Sequence, residues 1–269
     1  MRAMAKAKDR TGAGDPARTL ELLWREAGHN VSRRGPKQQL SIDTVVQTAI
    51  ELADRDSLDT LTMRHLAQEL GVTPMTLYTY VPGKAELLDL MLDTVYQEMP
   101  RTEHLPDTSW RTRVTTVAHE NRVLFQQHPW VATLPSTRPA LGPGLMGKYE
   151  HELGAFDGTE LDDIERDAAL THLLAFVQST ARTASDTQAA DRDSAMSDEQ
   201  WWSANAPLLA RVFDPARYPL ATRVGSAAGT AHQGAYNPDH AFDFGLRCVL
   251  EGFAALIEKT ETRTQSKDR

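Results

Sequence analysis

Between Thr62 and Glu86 the chain reads TMRHLAQELGVTPMTLYTYVPGKAE, and its hydroxyls and cation are spaced to meet a polyanion. Thr73, Thr76, Tyr78 and Tyr80 offer hydroxyls and Lys84 an ammonium, all groups that donate to phosphate oxygens. Met75 and the threonine methyls suit the methyl group of thymine in a major groove. Lys84 also begins a helix, where unpaired backbone N–H groups and the positive dipole end favour a phosphate. Upstream, Arg33-Arg34-Gly35-Pro36-Lys37 is a cationic hook that fits a minor groove, or else a solubilising linker.

Other chemistries find less support. Gly142-Pro143-Gly144-Leu145-Met146-Gly147 matches GxGxxG in letters, but no apolar strand precedes it and Pro139 and Pro143 interrupt the approach. His151-Glu152 lacks the second histidine of a zinc-protease helix, because position 155 is Ala. There is no GxSxG elbow and no paired-cysteine metal motif. Neither catalysis, a metal nor a cofactor is expected.

The elements that must position the hydroxyls are helices. Ser41 is placed to cap a first helix, in which Val45, Val46, Ala49, Ile50, Leu52 and Ala53 follow three–four spacing. Thr62 caps a second helix that ends before Gly71, and Val72 plugs the turn. Thr73 caps a third, with Pro74 at its first position, where a missing N–H costs nothing. Leu66, Ala67, Leu70, Val72 and Leu77 pack the two short helices together. This is either an ordinary helical hairpin or a corner whose second helix enters a major groove.

Residues 42–88 resemble the TetR family of transcriptional regulators. The resemblance rests on AIELADRDSLDTLTMRHLAQELGV and on TPMTLYTYVPGKAELLD, above all on LYTYV followed by Lys84, Glu86, Leu87 and Leu88. It implies that Thr73, Pro74, Met75, Thr76 and Tyr78 form the recognition helix. It implies also that Tyr80 and Lys84 hold phosphates and that Thr62 or Arg64 touches the DNA backbone. The rest of the chain is similar to the tetracycline-repressor type of effector domain, through Ser109-Trp110, Thr137-Arg138-Pro139 and the closing DFGLRCVLEGFAALIE. That likeness implies a four-helix dimer bundle built from helices near 160–185 and 240–259. Aligned this way, the usual tetracycline-gripping positions fall on Pro100 and Val117, so tetracycline is not the expected ligand.

The expected fold is all-α, in three parts: a basic N-terminal extension over 1–40, a helix-turn-helix domain over 41–88, and an effector and dimerisation domain over 89–269. Pro16–Ala27 contains a short amphipathic helix, with residues 1–16 expected to be disordered. Further helices are expected near 84–99, 109–128, 144–156, 160–185, 197–213 and 240–259, with irregular chain over 186–196 and 214–238. Phe242, Leu246, Val249 and Phe253 form a stripe with Gly245, suited either to a partner's helix or to burial within the chain. His119, Arg122 and Gln126 share one helical face, and His172 and Phe176 another. With Trp130, Arg138, Met146 and Tyr149 they are candidates for a ligand cavity, although cores use the same residue types.

Charge and cysteine content fit this reading. The net charge of −8 counts against nucleic acid, but residues 1–40 carry nine Lys/Arg and only four Asp/Glu. The single cysteine, Cys248, cannot close a disulfide within the chain, so a reducing, cytoplasmic compartment is expected. MRAMAKAKDR lacks the apolar core of a secretory signal, and no membrane span is expected. The expected function is a DNA-binding regulator, a repressor released from palindromic double-stranded operator DNA when its homodimer binds a small effector. The alternatives are an activator, a helical ligand-binding dimer without DNA binding, and an enzyme.

Overall fold

The computed structural model describes residues 10–25, 40–134, 138–194, 197–232 and 237–267. Arg33, Arg34, Lys37 and Thr137 lie outside them. Among the described residues every regular element is helical. The helices are α1 (Pro16–Leu23), α2 (Ile42–Asp56), α3 (Met63–Glu69), α4 (Pro74–Tyr80), α5 (Lys84–Glu98), α6 (Trp110–Gln127), α7 (Pro129–Thr133), α8 (Pro143–Gly154), α9 (Asp163–Ser194), α10 (Asp198–Leu209), α11 (Pro219–His232) and α12 (Pro238–Lys267). No helix among the described residues is long and apolar enough to cross a membrane.

Two apolar cores organise the chain. The first joins α1–α5 to α7: Val45, Val46, Leu66, Leu77, Leu87, Leu88, Met91 and Trp130 are all buried in it. The second lies between α6, α9 and α12, around Val114, Phe156, Leu173, Phe242 and Phe253. Helix α5 runs unbroken from the first core to a long contact with α8. Its burial is nearly all-round, from Ala85 to Asp93, which suits a rod held on several sides.

Several expected boundaries change. Residues 186–194 continue α9 instead of forming a loop. The polar run DTQAADRDS has no Gly or Pro to stop a helix, and polarity alone does not end one. Within 214–238, Pro219–His232 is helical. Pro219 stands at the start of that helix, where it is tolerated, and four alanines offset the cost of Gly225 and Gly229. His128 ends α6 and Pro129 starts the separate short α7. Residues 11–15, expected to be disordered, are tied by hydrogen bonds to Arg138, Asp89 and Glu86. A hydroxyl on a backbone carbonyl and two backbone N–H groups on buried carboxylates make these bonds, and an apolar pattern does not register them.

Candidate nucleic-acid interface

The corner between α3 and α4 forms as its punctuation requires. The Thr62 side chain caps α3 by accepting from His65 N at 3.1 Å. Gly71 takes φ +66°, and Val72 N returns to the Ala67 carbonyl at 2.9 Å, closing the turn. Thr73 Oγ1 accepts from Thr76 N at 3.2 Å and Pro74 takes the first position of α4. On this two-turn helix Leu77 is fully sealed, whereas Met75 is 76% exposed and Tyr78 46%. Thr73, Pro74 and Thr76 are exposed beside them, and so are Thr62, which caps α3, and Arg64 within it. Tyr80 is half-buried against the core, leaving its ring braced at the end of α4.

Lys84 is the first residue of α5 and half-exposed, and Gly83 before it makes no side-chain cap. The first amides of α5 therefore sit beside a cation next to the exposed face of α4. Thr73, Pro74, Met75, Thr76, Tyr78 and Tyr80 thus lie on α4 and its cap, and Lys84 opens the helix that follows.

The same region matches the model of bacterial regulatory proteins of the tetR family over residues 45–91, and residues 103–257 match the tetracyclin repressor-like C-terminal domain. The chain is 38% identical over 254 residues to the HTH-type transcriptional repressor DrrR1 of Streptomyces coeruleorubidus, covering 94% of this chain and 91% of that protein. The chain belongs to the TetR family. It is 35% identical to the class E tetracycline repressor of Escherichia coli, with 82% and 94% covered. Among solved structures it resembles ActR of Streptomyces coelicolor in complex with actinorhodin, with a TM-score of 0.67, 27% identity, and 82% and 98% of the two chains covered. ActR is also known in complex with (S)-DNPA, at a TM-score of 0.64 with 27% identity, 80% and 98% covered. This TetR-family chain is thus a DNA-binding transcriptional regulator.

The residues expected to line a ligand cavity divide. Arg122 and Gln126 line an open cleft of about 480 Å³ between α6, α7, α9 and α12, with Phe125, Pro129, Thr180, Ser185, Gln188, Asp239 and Phe242, the last expected in the dimer stripe. The Arg122 guanidinium lies over the Phe242 ring at 4.4 Å and pairs with Asp239. His119 and Phe176 also rest on Phe242, at centroid distances of 5.3 and 5.8 Å. His172 meets Phe253 instead. Trp130 is buried and donates to Asp54. Tyr149 is exposed and donates to Asp167, Met146 is exposed on α8, and the Arg138 carbonyl accepts from Thr11. These last four do not reach the cleft. Asp239 was missed because it lies 117 residues from Arg122.

The expected dimer stripe faces inward. Phe242, Leu246 and Phe253 are buried in this chain's own second core, Val249 packs against it, and Gly245 abuts the Phe176 ring. The exposed face of α12 carries Phe244 and Leu256. A seven-residue repeat cannot say which neighbour a stripe meets.

The glycine-rich run resolves as a helix start. Asp93 of α5 accepts from Gly144 N at 3.1 Å and from Leu145 N at 2.9 Å, so a carboxylate already holds the amides that a phosphate would need. Burial pushes the Asp93 carboxyl up despite these bonds. A further site invisible in the sequence lies beside it. Lys148 Nζ meets Glu152 Oε1 at 2.6 Å, and Asn121 Nδ2 donates to the same oxygen at 2.6 Å, all three buried. Burial lowers the Lys148 ammonium. His151 pairs with Glu120 at 2.9 Å, and no group of metal-ligating residues occurs among the described residues.

Proposed function

We propose that the protein is a homodimeric cytoplasmic repressor that reads a palindromic operator with α4 and leaves it when a small molecule binds the larger domain. Residues 41–88 serve as the reading head and residues 89–269 as the effector and dimerisation body, with 1–40 as a basic extension. The observation that carries the reading is the two-sidedness of α4, where a sealed Leu77 sits under an exposed Met75 and Tyr78. An exposed methionine on a rigid two-turn helix has no folding role there, and a major groove offers thymine methyls to it. Thr76, Tyr80 and Lys84 supply the polar contacts, Thr73 and Pro74 set the start of the helix, and Thr62 and Arg64 face the adjoining backbone. Arg33, Arg34 and Lys37 are placed in the chain to follow a minor groove. One such helix reads too few base pairs alone, so two copies about a two-fold axis read a palindrome.

The cleft between α6, α7, α9 and α12 is the best-supported effector site. Phe125 offers an aromatic surface, Arg122 a guanidinium that stacks on Phe242 and pairs with Asp239, and Gln126, Gln188, Thr180 and Ser185 hydrogen bonds. That set suits a flat aromatic molecule with acidic or carbonyl oxygens. The ActR complexes with actinorhodin and (S)-DNPA, in related chains, support ligand response of this kind. The protein acts by binding, without turnover.

Selection of duplexes from a random pool by the wild-type protein tests the DNA reading. Enrichment of a two-fold symmetric sequence is expected. Failure to enrich any duplex, in a folded preparation, overturns it. Actinorhodin is the first probe for release, and a competent effector is expected to weaken DNA binding about 5–150-fold.

A further inference from the structure

We propose that residues Thr11–Trp24 are a strap that positions the recognition helix by fixing the angle between α5 and the body. The proposal rests on the reading that α4 and the start of α5 meet DNA. Three groups of contacts carry it, each to a different part of the fold.

The first group holds α5. Gly12 N donates to both Asp89 oxygens at 3.0 and 3.2 Å, and Asp15 N donates to Glu86 Oε1 at 3.2 Å. Glu86 and Asp89 stand three residues apart, on one face of the first turns of α5, close behind Lys84. Both carboxylates are buried, Asp89 completely. The second group holds the body. Thr11 Oγ1 donates to the Arg138 carbonyl at 2.9 Å, and Trp24 Nε1 donates to the Leu141 carbonyl at 2.8 Å, just ahead of α8. The third reaches the first helix of the reading head. Leu22 and Leu23 are buried in the core shared with α2 and α5, and Arg25 beyond them pairs with Asp43 at 2.5 Å.

A swing of α5 against the body cannot keep all of these. Either the amides of Gly12 and Asp15 leave buried carboxylates, or Thr11 and Trp24 leave their carbonyls. Buried hydrogen-bonding groups resist such separation. The strap therefore favours one arrangement of head and body, and its differential contacts shift that equilibrium. Gly12 is suited to its place: φ is +66°, and a Cβ there would come within 2.8 Å of Arg138 Cβ.

The test compares the full chain with Gly12→Ala and with a form lacking residues 1–15. Each is titrated with the duplex enriched by the wild type across a salt series, and hydrogen exchange is followed over Lys84–Glu98. Gly12→Ala changes no charge and no residue of the head. Both variants are expected to keep full helicity, to exchange faster in α5 than elsewhere, and to bind about 5–150-fold more weakly. The salt slope of Gly12→Ala should equal that of the wild type, because no phosphate contact is lost. Unchanged exchange in α5 with Gly12→Ala overturns the strap. So does an affinity loss confined to the truncated form and accompanied by a shallower salt slope, which would make this segment a direct phosphate contact. If the wild type enriches no duplex, the DNA reading fails, while exchange in α5 still decides whether the strap holds that helix.

Discussion

Trp130 Nε1 donates to Asp54 Oδ1 at 2.8 Å, tying the short helix α7 to the first helix of the reading head. His128 Nδ1 meets the same carboxylate at 2.9 Å. Pro129, between the two, lines the cleft assigned to the effector. Asp54 thus joins α2 to the short helix that borders the cleft.

This contact can be measured as a coupling energy. Asp54→Ala leaves the buried indole N–H without its acceptor, which costs about 1–3 kcal/mol. Trp130→Phe removes the donor and leaves a small cavity, whose cost the double-mutant cycle subtracts. The double variant should show a coupling of about 0.5–3 kcal/mol in urea unfolding at matched protein concentration. Strict additivity would mean that the contact carries no energy between head and body.

The buried Lys148–Glu152 pair should behave asymmetrically. Lys148→Ala leaves Glu152 buried with only the Asn121 amide as partner, at a cost of about 3–5 kcal/mol. At a few degrees per kcal/mol in a chain of this size, Tm should fall by roughly 10 °C. Lys148→Met combined with Glu152→Leu removes both charges and fills the space, so it should cost far less. Equal losses from the single and double variants would show that packing, not the pair, holds this junction.

Two positions on α12 separate folding from assembly. Leu246 is 5% exposed inside the chain and Phe244 is 56% exposed on the other face. Leu246→Glu puts a charge into the core and should unfold the protein. Phe244→Glu should leave the helical signal intact and convert dimers to monomers in sedimentation at micromolar concentration. A dimeric Phe244→Glu protein would place the seam elsewhere.

Asp89 should give stability a specific pH dependence. Burial raises its carboxyl from the usual 3.8 to about 6. Between those values the folded state holds the proton more tightly than the unfolded one. The group's favourable contribution is therefore complete below pH 3.8 and is lost as pH rises through about 6. Above that, the ionised carboxylate costs on the order of 1–3 kcal/mol, partly offset by the Gly12 amide. Asp89→Asn keeps an acceptor oxygen and removes the charge. It should match the wild type near pH 4, exceed it in urea stability at pH 8, and flatten the slope between. A wild-type slope retained in Asp89→Asn would assign the titration to another group.

The reading head was legible because its signals are local. Ser41, Thr62 and Thr73 cap helices within three residues of themselves, and Gly71 and Pro74 fix the turn between α3 and α4. The strap was not legible, and of the cleft only Arg122 and Gln126 were, since the rest depends on partners far along the chain. Gly12 meets Asp89 across 77 residues and Arg122 meets Asp239 across 117. The α12 stripe reads as apolar in the sequence but its neighbour stays open there, because burial against α6 and α9 and burial against a partner leave the same pattern. Asp93 shows the opposite case, where a motif for phosphate was present in letters and its amides were already bound to a carboxylate.

Lys84 and Thr76 should fail in different ways on DNA. Lys84 stands at the uncapped start of α5, and its ammonium would meet a phosphate, which is the same on every sequence. Lys84→Ala should weaken binding to all duplexes alike and lower the salt slope by about one unit. Thr76 lies on the exposed side of α4, its hydroxyl 2.9 Å from that of Thr73, and a base edge is its natural partner. Thr76→Ala should leave the salt slope unchanged. It should cost about 1–3 kcal/mol on the preferred duplex and little on others, narrowing discrimination at one or two symmetric base positions. Binding isotherms on the enriched duplex and on single-position variants, each at several salt concentrations, read both effects. If Thr76→Ala weakened every duplex equally, α4 would be lying on the backbone, and another surface would have to read the bases.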